Sequence, residues 1–259
     1  MEVITVTSRG QSPSNFVSSF TNSISLSNDY EVGLLKIAYP PVANVTDENN
    51  KFYIAKKDDS FQVIYEIPTG FYGTTHEIIQ AIYNVLKDVS DDDDDDDDDD
   101  INTQADLRYS TTGIADHTKL TLQFDDKKTV FVSSDETVGN VLKLLDYRID
   151  NFTARTLNVQ NYDLPAKDQL GFIYSSIVSN SLIDHHVSRL LDTVTIKSST
   201  NGGQCICEVK NPVFHDVSAV NFIDISFEIR DIDGAFIQFT NDLPTILTLG
   251  MRKKQNTAI

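Results

Sequence analysis

The sequence predicts a mainly β protein: a single jelly-roll sandwich with a small α+β subdomain inserted into it. Three observations carry this. Short apolar or alternating runs, bounded by Gly, Pro, Asn and Asp, fill both ends of the 259-residue chain. Outside the middle of the chain there are about eight of them, the number in a two-sheet jelly roll. Between roughly residues 46 and 160 the texture changes to strands mixed with amphipathic helix. The expected division is therefore 1–45 plus 165–259 for the jelly roll and 46–160 for the insertion, which contains a disordered acidic loop at 88–106.

Phe16 to Leu26 reads as a weak first strand closed by the turn cluster Ser27, Asn28 and Asp29. In Tyr30 to Tyr39 both alternating sets are apolar: Val32, Leu34 and Ala38 on one, Leu35, Ile37 and Tyr39 on the other. Such a strand is covered on both faces. Pro40 and Pro41 end it, since neither can donate to a ladder. In the insertion, Lys51 to Ile54 and Phe61 to Ile67 read as a strand pair across Lys57, Asp58 and Asp59. Pro68 to Gly70 turns the chain into a helix. Thr74 and Glu77 have the spacing of a capping box, and Ile78, Ile79, Ile82, Tyr83 and Leu86 line one helical face. Leu120, Leu122 and Phe124, then Val130 and Val132, alternate across a turn at 125–128 and predict a hairpin. A second helix is expected from about Glu136 to Tyr147.

The remaining strands are Leu170 to Val178, Leu190 to Lys197, Cys205 to Val209, Phe222 to Arg230, Ala235 to Phe239 and Thr245 to Met251. Turns are expected at Ser198 to Gly203 and Asp231 to Gly234. From Ile223 to Ile229 apolar and polar residues alternate cleanly, so this strand has one wet face. The short link at Asp231 to Gly234 reads as a tight hairpin. That sits badly with a jelly roll, in which the last strands cross between sheets.

The net charge of −18 comes largely from Asp91 to Asp100, an unbroken run of ten aspartates; without it the balance is −8. Ten adjacent carboxylates repel one another and bury nothing, which predicts a solvated loop. The acidic balance argues against salt-driven nucleic-acid binding, which needs a basic face. Arg252, Lys253 and Lys254 form one small basic cluster. The first residues lack a basic then apolar leader, and no apolar run approaches the roughly 20 residues of a membrane span, so synthesis without secretion is expected.

No catalytic, cofactor or metal site is predicted. His185 and His186 adjoin beside Asp184, but neighbours on a strand face opposite ways, which makes a poor ligand pair. Cys205 and Cys207 lie two apart, too strained for a disulfide, and nothing completes a zinc set around them. Gly70 to Thr75 precedes a helix but lacks the Gly-Lys ending of a phosphate loop. Asp231 to Gly234 resembles the start of a calcium loop whose remainder is missing. Asn44 and Asn151 begin glycosylation patterns that read as chance matches without secretion.

Several strand segments resemble the penton (minor capsid) proteins of Polinton/Maverick elements and related virophages. Tyr30 to Pro40 (YEVGLLKIAYP) is similar to that family's opening strand, and Ile67 to Tyr72 (IPTGFY) to a step before its helix. Phe172 to Val178 (FIYSSIV), with Leu190 and Leu191 after it, resembles its middle strands. Phe227 to Phe239 (FEIRDIDGAFIQF) and Leu247 to Arg252 (LTLGMR) resemble its closing ones. The motifs occur in order across most of the chain. Departures are the glycine-free stretch from Asn180 to Val187 and the aspartate run.

The resemblance implies a structural jelly-roll protein without enzymatic activity or cofactor. It implies a homopentamer at the five-fold vertices of an icosahedral capsid, placed among trimers of a double-jelly-roll major capsid protein. Its place is then the virion, with synthesis in the host cytoplasm or nucleus. The strands near Tyr30 to Tyr39 and Thr245 to Lys254 are the expected contact surfaces. The alternative is a non-viral jelly-roll binding module, lectin- or cupin-like, for a small ligand; a cupin would need a histidine-rich metal constellation that the strands lack. An enzyme built on Asp184, His185 and Cys205 or Cys207 has little support.

Overall fold

The computed structural model describes residues 1–26, 29–56, 62–88, 107–112, 119–124, 129–132, 141–145, 153–154, 156–160, 163–164, 168–183, 186–197, 203–218, 221–240 and 243–254. The first strands are β1 (Glu2–Thr7), β2 (Asn15–Ser25) and β3 (Tyr30–Tyr39). The middle carries β4 (Lys51–Lys56), β5 (Gln62–Glu66), α1 (Thr75–Asp88), β6 (Leu107–Thr112), β7 (Lys119–Phe124) and β8 (Thr129–Val132). A short 3-10 helix at Val141–Leu145, β9 (Thr153–Ala154) and β10 (Thr156–Gln160) complete it. Then follow β11 (Gln169–Ser175), β12 (Ser181–Ile183), β13 (His186–Ser188) and β14 (Leu190–Ile196). The last are β15 (Cys205–Glu208), β16 (His215–Asp216), β17 (Asn221–Arg230) and β18 (Ile246–Lys253).

Two compact units result, one of Met1–Val42 with Ala166–Ile259, the other of Ala43–Pro165. In the first, two antiparallel sheets run in the orders β1-β18-β3-β15 and β14-β11-β17-β2. Counted by position among these eight strands, the orders are 1-8-3-6 and 5-4-7-2. That interleaving is a jelly roll. β16 extends the β15 edge along β3, and β12 pairs with β13 as a separate hairpin.

Alternation drives the core between the sheets. Val32, Leu34, Ile37 and Tyr39 of β3 meet Leu247, Leu249 and Met251 of β18 on the inner face of one sheet. Ile173, Val194, Ile196, Ile225, Phe227 and Ile229 supply the other. Phe16 stacks on Phe227 with ring centroids 5.3 Å apart. The two apolar sets of β3 do not face opposite ways as expected: the register shifts between them, so Val32 and Leu34 share the inner face with Ile37 and Tyr39. A bulge lies near Leu35, and the Leu35 side chain packs where a Cβ on Gly250 would sit, 3.1 Å away. On the same outer side Val213 and Phe214 pass over Gly33, whose Cβ would lie 2.8 Å from the Val213 carbonyl oxygen.

The turn at Asp231–Gly234 forms, with Gly234 at φ +82° and Asp231 N–H donating to Ala235 O over 2.9 Å. The strand expected at Ala235 to Phe239 does not. Those residues make isolated bridges, Arg230 to Phe236 and Val42 to Phe239, and carry the chain across to β18 in the other sheet. The tension between hairpin and jelly roll disappears. Ile237 and Phe239 alternate because both side chains enter the core, so the pattern reported burial without pairing.

The second unit holds the sheets β5-β4-β8-β9 and β10-β7-β6 beside α1. Phe52, Ile54, Ile67, Phe131 and Leu122 bury against Ile78, Ile79, Ile82 and Leu86 of the helix. Thr74 Oγ1 accepts the Glu77 N–H at 3.3 Å, and Glu77 Oε2 accepts the Gly73 N–H at 2.7 Å. The expected hairpin of β7 with β8 is corrected: β7 pairs with β6 and β10, and β8 with β4 and β9. Alternation identifies a strand but not its partner. Of the second predicted helix, the described part is the 3-10 turn at Val141–Leu145, which buries Val141, Leu142 and Leu145. The aspartate run at 91–100 lies outside the described residues.

Candidate functional surfaces

The chemistry-bearing residues singled out in the sequence are engaged mostly in structure. Cys205 and Cys207 are free thiols on β15, opposite Tyr39 and Ile37, and pack half-buried against the core. Tyr39 is buried, and its hydroxyl oxygen accepts the Lys197 N–H at 2.9 Å. Burial pushes its pKa above the ordinary tyrosine value, with Cys205 and Cys207 adding to the rise. His186 lies on β13, while Asp184 and His185 fall outside the described residues. Among the described residues no three His, Cys, Asp or Glu side chains gather as a metal set, and no helix is long and apolar enough to cross a membrane.

The loop before α1 uses its own amides. Gly70 N–H donates to Val45 O, Tyr72 N–H to Asn44 Oδ1 and Gly73 N–H to Glu77 Oε2, which leaves no cradle for a phosphate from those groups. The Asn44 amide also donates to Tyr72 O at 2.7 Å, so this glycosylation-pattern residue ties the loop. In the calcium-like turn, Asp231 Oδ1 accepts the N–H groups of Asp233 and Ala235 and is consumed locally. The basic cluster is partnered as well. Arg252 pairs with Glu31 at 3.1 Å and lies 3.8 Å over the Phe214 ring, and Lys254 pairs with Asp216 at 2.8 Å.

Two surfaces of the jelly-roll unit remain. On the first sheet, the expected contact strand β3 is an interior strand with mostly covered side chains. Exposed apolar groups lie instead on the end strands of the sheet, Val3 of β1 and Ile206 of β15, at 55% and 61% exposure. On the second sheet there is a polar cleft of about 460 Å³. Its lining comes from β11 (Tyr174, Ser175), from β17 (Ser226, Glu228, Arg230) and from the connection after β11 (Ser176, Asn180, Ser188, Arg189). The floor is stitched together: Ser226 N–H donates to Ser176 Oγ, Ser175 Oγ–H to Ser226 O, and Ser175 N–H to Arg189 O. Arg230 Nε–H donates to Glu228 at 2.9 Å, and its guanidinium lies 4.1 Å over Phe236. Sequence reasoning found the wet face of β17 but not the cleft. Only the fold brings residues near 180 over a strand near 228.

No family model matches the chain, and no curated protein matches it. Among solved structures, the crystal structure of the selenomethionine-labelled mavirus penton protein is similar over 98% of both chains, at 15% identity and a TM-score of 0.44.

Proposed function

We propose that this chain is a structural minor capsid (penton) protein, which closes into a homopentamer at the five-fold vertices of an icosahedral capsid beside a double-jelly-roll major capsid protein. One observation carries the reading. The segments that resemble the penton family fall on the strands of an eight-strand jelly roll: YEVGLLKIAY on β3, FIYS on β11, FEIR on β17 and LTLGMR on β18. Such a sandwich is rigid, and one heterologous contact repeated by rotation closes a ring. The site of action on this reading is the virion, and the role needs no catalytic residue or cofactor.

The test is co-assembly with the matching major capsid protein, followed by imaging of the five-fold positions. Density for this chain at the vertices supports the proposal. Its presence in the facets, inside the particle or nowhere ends it. A solution mass of five copies is a second, cheaper support, whereas a strict monomer that also fails to co-assemble counts against any ring.

A further inference from the structure

We infer that the cleft on the second sheet binds an acid-bearing saccharide, a sugar carrying a carboxylate or sulfate group. The volume of about 460 Å³ falls in the range of small-ligand sites. Its lining differs from the mostly apolar wall of such sites: four serine hydroxyls, an amide, two guanidiniums and a carboxylate surround one tyrosine ring. A ligand suited to it offers donors and acceptors in several directions, as the hydroxyls of a sugar ring do.

Charge selects among sugars. Glu228 is held by Arg230, so among the described residues the second guanidinium, Arg189, is the uncompensated charge. Its Nε–H donates to the neutral amide oxygen of Asn180 at 3.1 Å, and among the described residues it has no acidic partner. A planar guanidinium in that state matches a carboxylate or sulfate through two parallel hydrogen bonds. Arg189 is exposed, but its backbone is held. The Arg189 carbonyl is tied to the Ser175 N–H at 3.0 Å, so the wall that carries the cation is fastened to the floor.

An extended acidic peptide fits less well. β11 and β17 are interior strands, flanked by β14 and β2, so the cleft offers no sheet edge for a peptide to join. This inference does not depend on the vertex proposal, since a shell protein and a free binding module are equally able to carry the site.

The test is saturation-transfer NMR and calorimetry on the full chain with glucuronic acid, N-acetylneuraminic acid, glucose and a tetra-aspartate peptide. Saturable binding of at least one acidic sugar in the millimolar range is expected, with glucose weaker by about tenfold. Arg189→Gln should weaken the acidic sugar roughly tenfold at an unchanged melting temperature, and Arg189→Lys should fall between, keeping the charge but losing the fork. The inference is overturned if neither acidic sugar binds saturably, or if Arg189→Gln binds as the wild type does. Tighter binding of tetra-aspartate than of either sugar, with the same dependence on Arg189, would make the cleft a peptide dock and also end the saccharide reading.

Discussion

At Tyr39 one hydroxyl joins two sequence-distant strands' ends. It accepts the Lys197 N–H just beyond β14, at the edge of a fully packed core. Tyr39→Phe keeps the ring contact with Phe239 but leaves that amide without its acceptor. The expected loss is about 1 kcal/mol, read as a melting temperature lower by a few degrees. Asp192 offers a pH test. It stands opposite Ile173 in the register; its Oδ1 accepts the Thr193 N–H at 2.7 Å, and its buried Oδ2 has no hydrogen-bond partner. Burial raises its pKa above the usual carboxylate value, against the lowering effects of the Thr193 hydrogen bond and His215. A carboxyl with a raised folded pKa favours the protonated fold, so stability is lost as pH rises through the carboxylate range. Asp192→Asn should therefore melt higher than the wild type at about pH 7, with the gap shrinking towards about pH 4. A gap that stays constant with pH would place the effect elsewhere.

Among the elements, β3 shows how far a sequence pattern reaches. Apolar residues on both alternating sets announced a strand covered on both faces; instead the bulge at Leu35 turns Val32, Leu34, Ile37 and Tyr39 to one core, and the outer face is covered locally at Gly33. What covers it was not legible, because Val213 and Phe214 arrive over Gly33 from a connection far along the chain. Gly33→Ala should cost roughly 1–3 kcal/mol by forcing that backbone away, measurable by denaturant melts. The cap of α1 was readable for the opposite reason, since Thr74 and Glu77 are neighbours in sequence. Thr74→Ala is expected to cost about 1 kcal/mol, seen as earlier loss of helix signal on heating. Where pairing is non-local, local alternation misled: β7 and β8 look like a hairpin but join different sheets, and residues 235–239 look like a strand but bridge two. The polar cleft had no local signal beyond the wet face of β17.

For the whole molecule, the strand count suggested a jelly roll, and the observed strand orders are those of one. The order itself could not be read, because nothing local specifies that β18 lies between β1 and β3. Ten like charges repel, so replacing Asp91 to Asp100 with a short Gly/Ser linker should leave the melting temperature at low salt unchanged or slightly higher. A clear loss of stability would give the run a structural role. The pairing of Arg252 with Glu31 and of Lys254 with Asp216 bears on the same scale. It removes most free positive charge from the end of β18, so a neighbour docking there meets a nearly neutral surface.

The central place of β18 also sets a timetable. Among the described strands it comes last in the chain, yet it pairs Val6 with Leu247 on one side and Leu34 with Leu249 on the other. Until it leaves the ribosome, β1 and β3 have no partner between them, and their open edges wait while the insertion and the seven strands β11 to β17 emerge. Sheets closed by such distant pairs fold slowly and are open to aggregation meanwhile. Translation that stops short of Ile246 should therefore yield chains that precipitate or are held by chaperones, whereas chains with β18 clear of the ribosome should become protease-resistant. Pulse-chase proteolysis of stalled nascent chains would record when that protection begins.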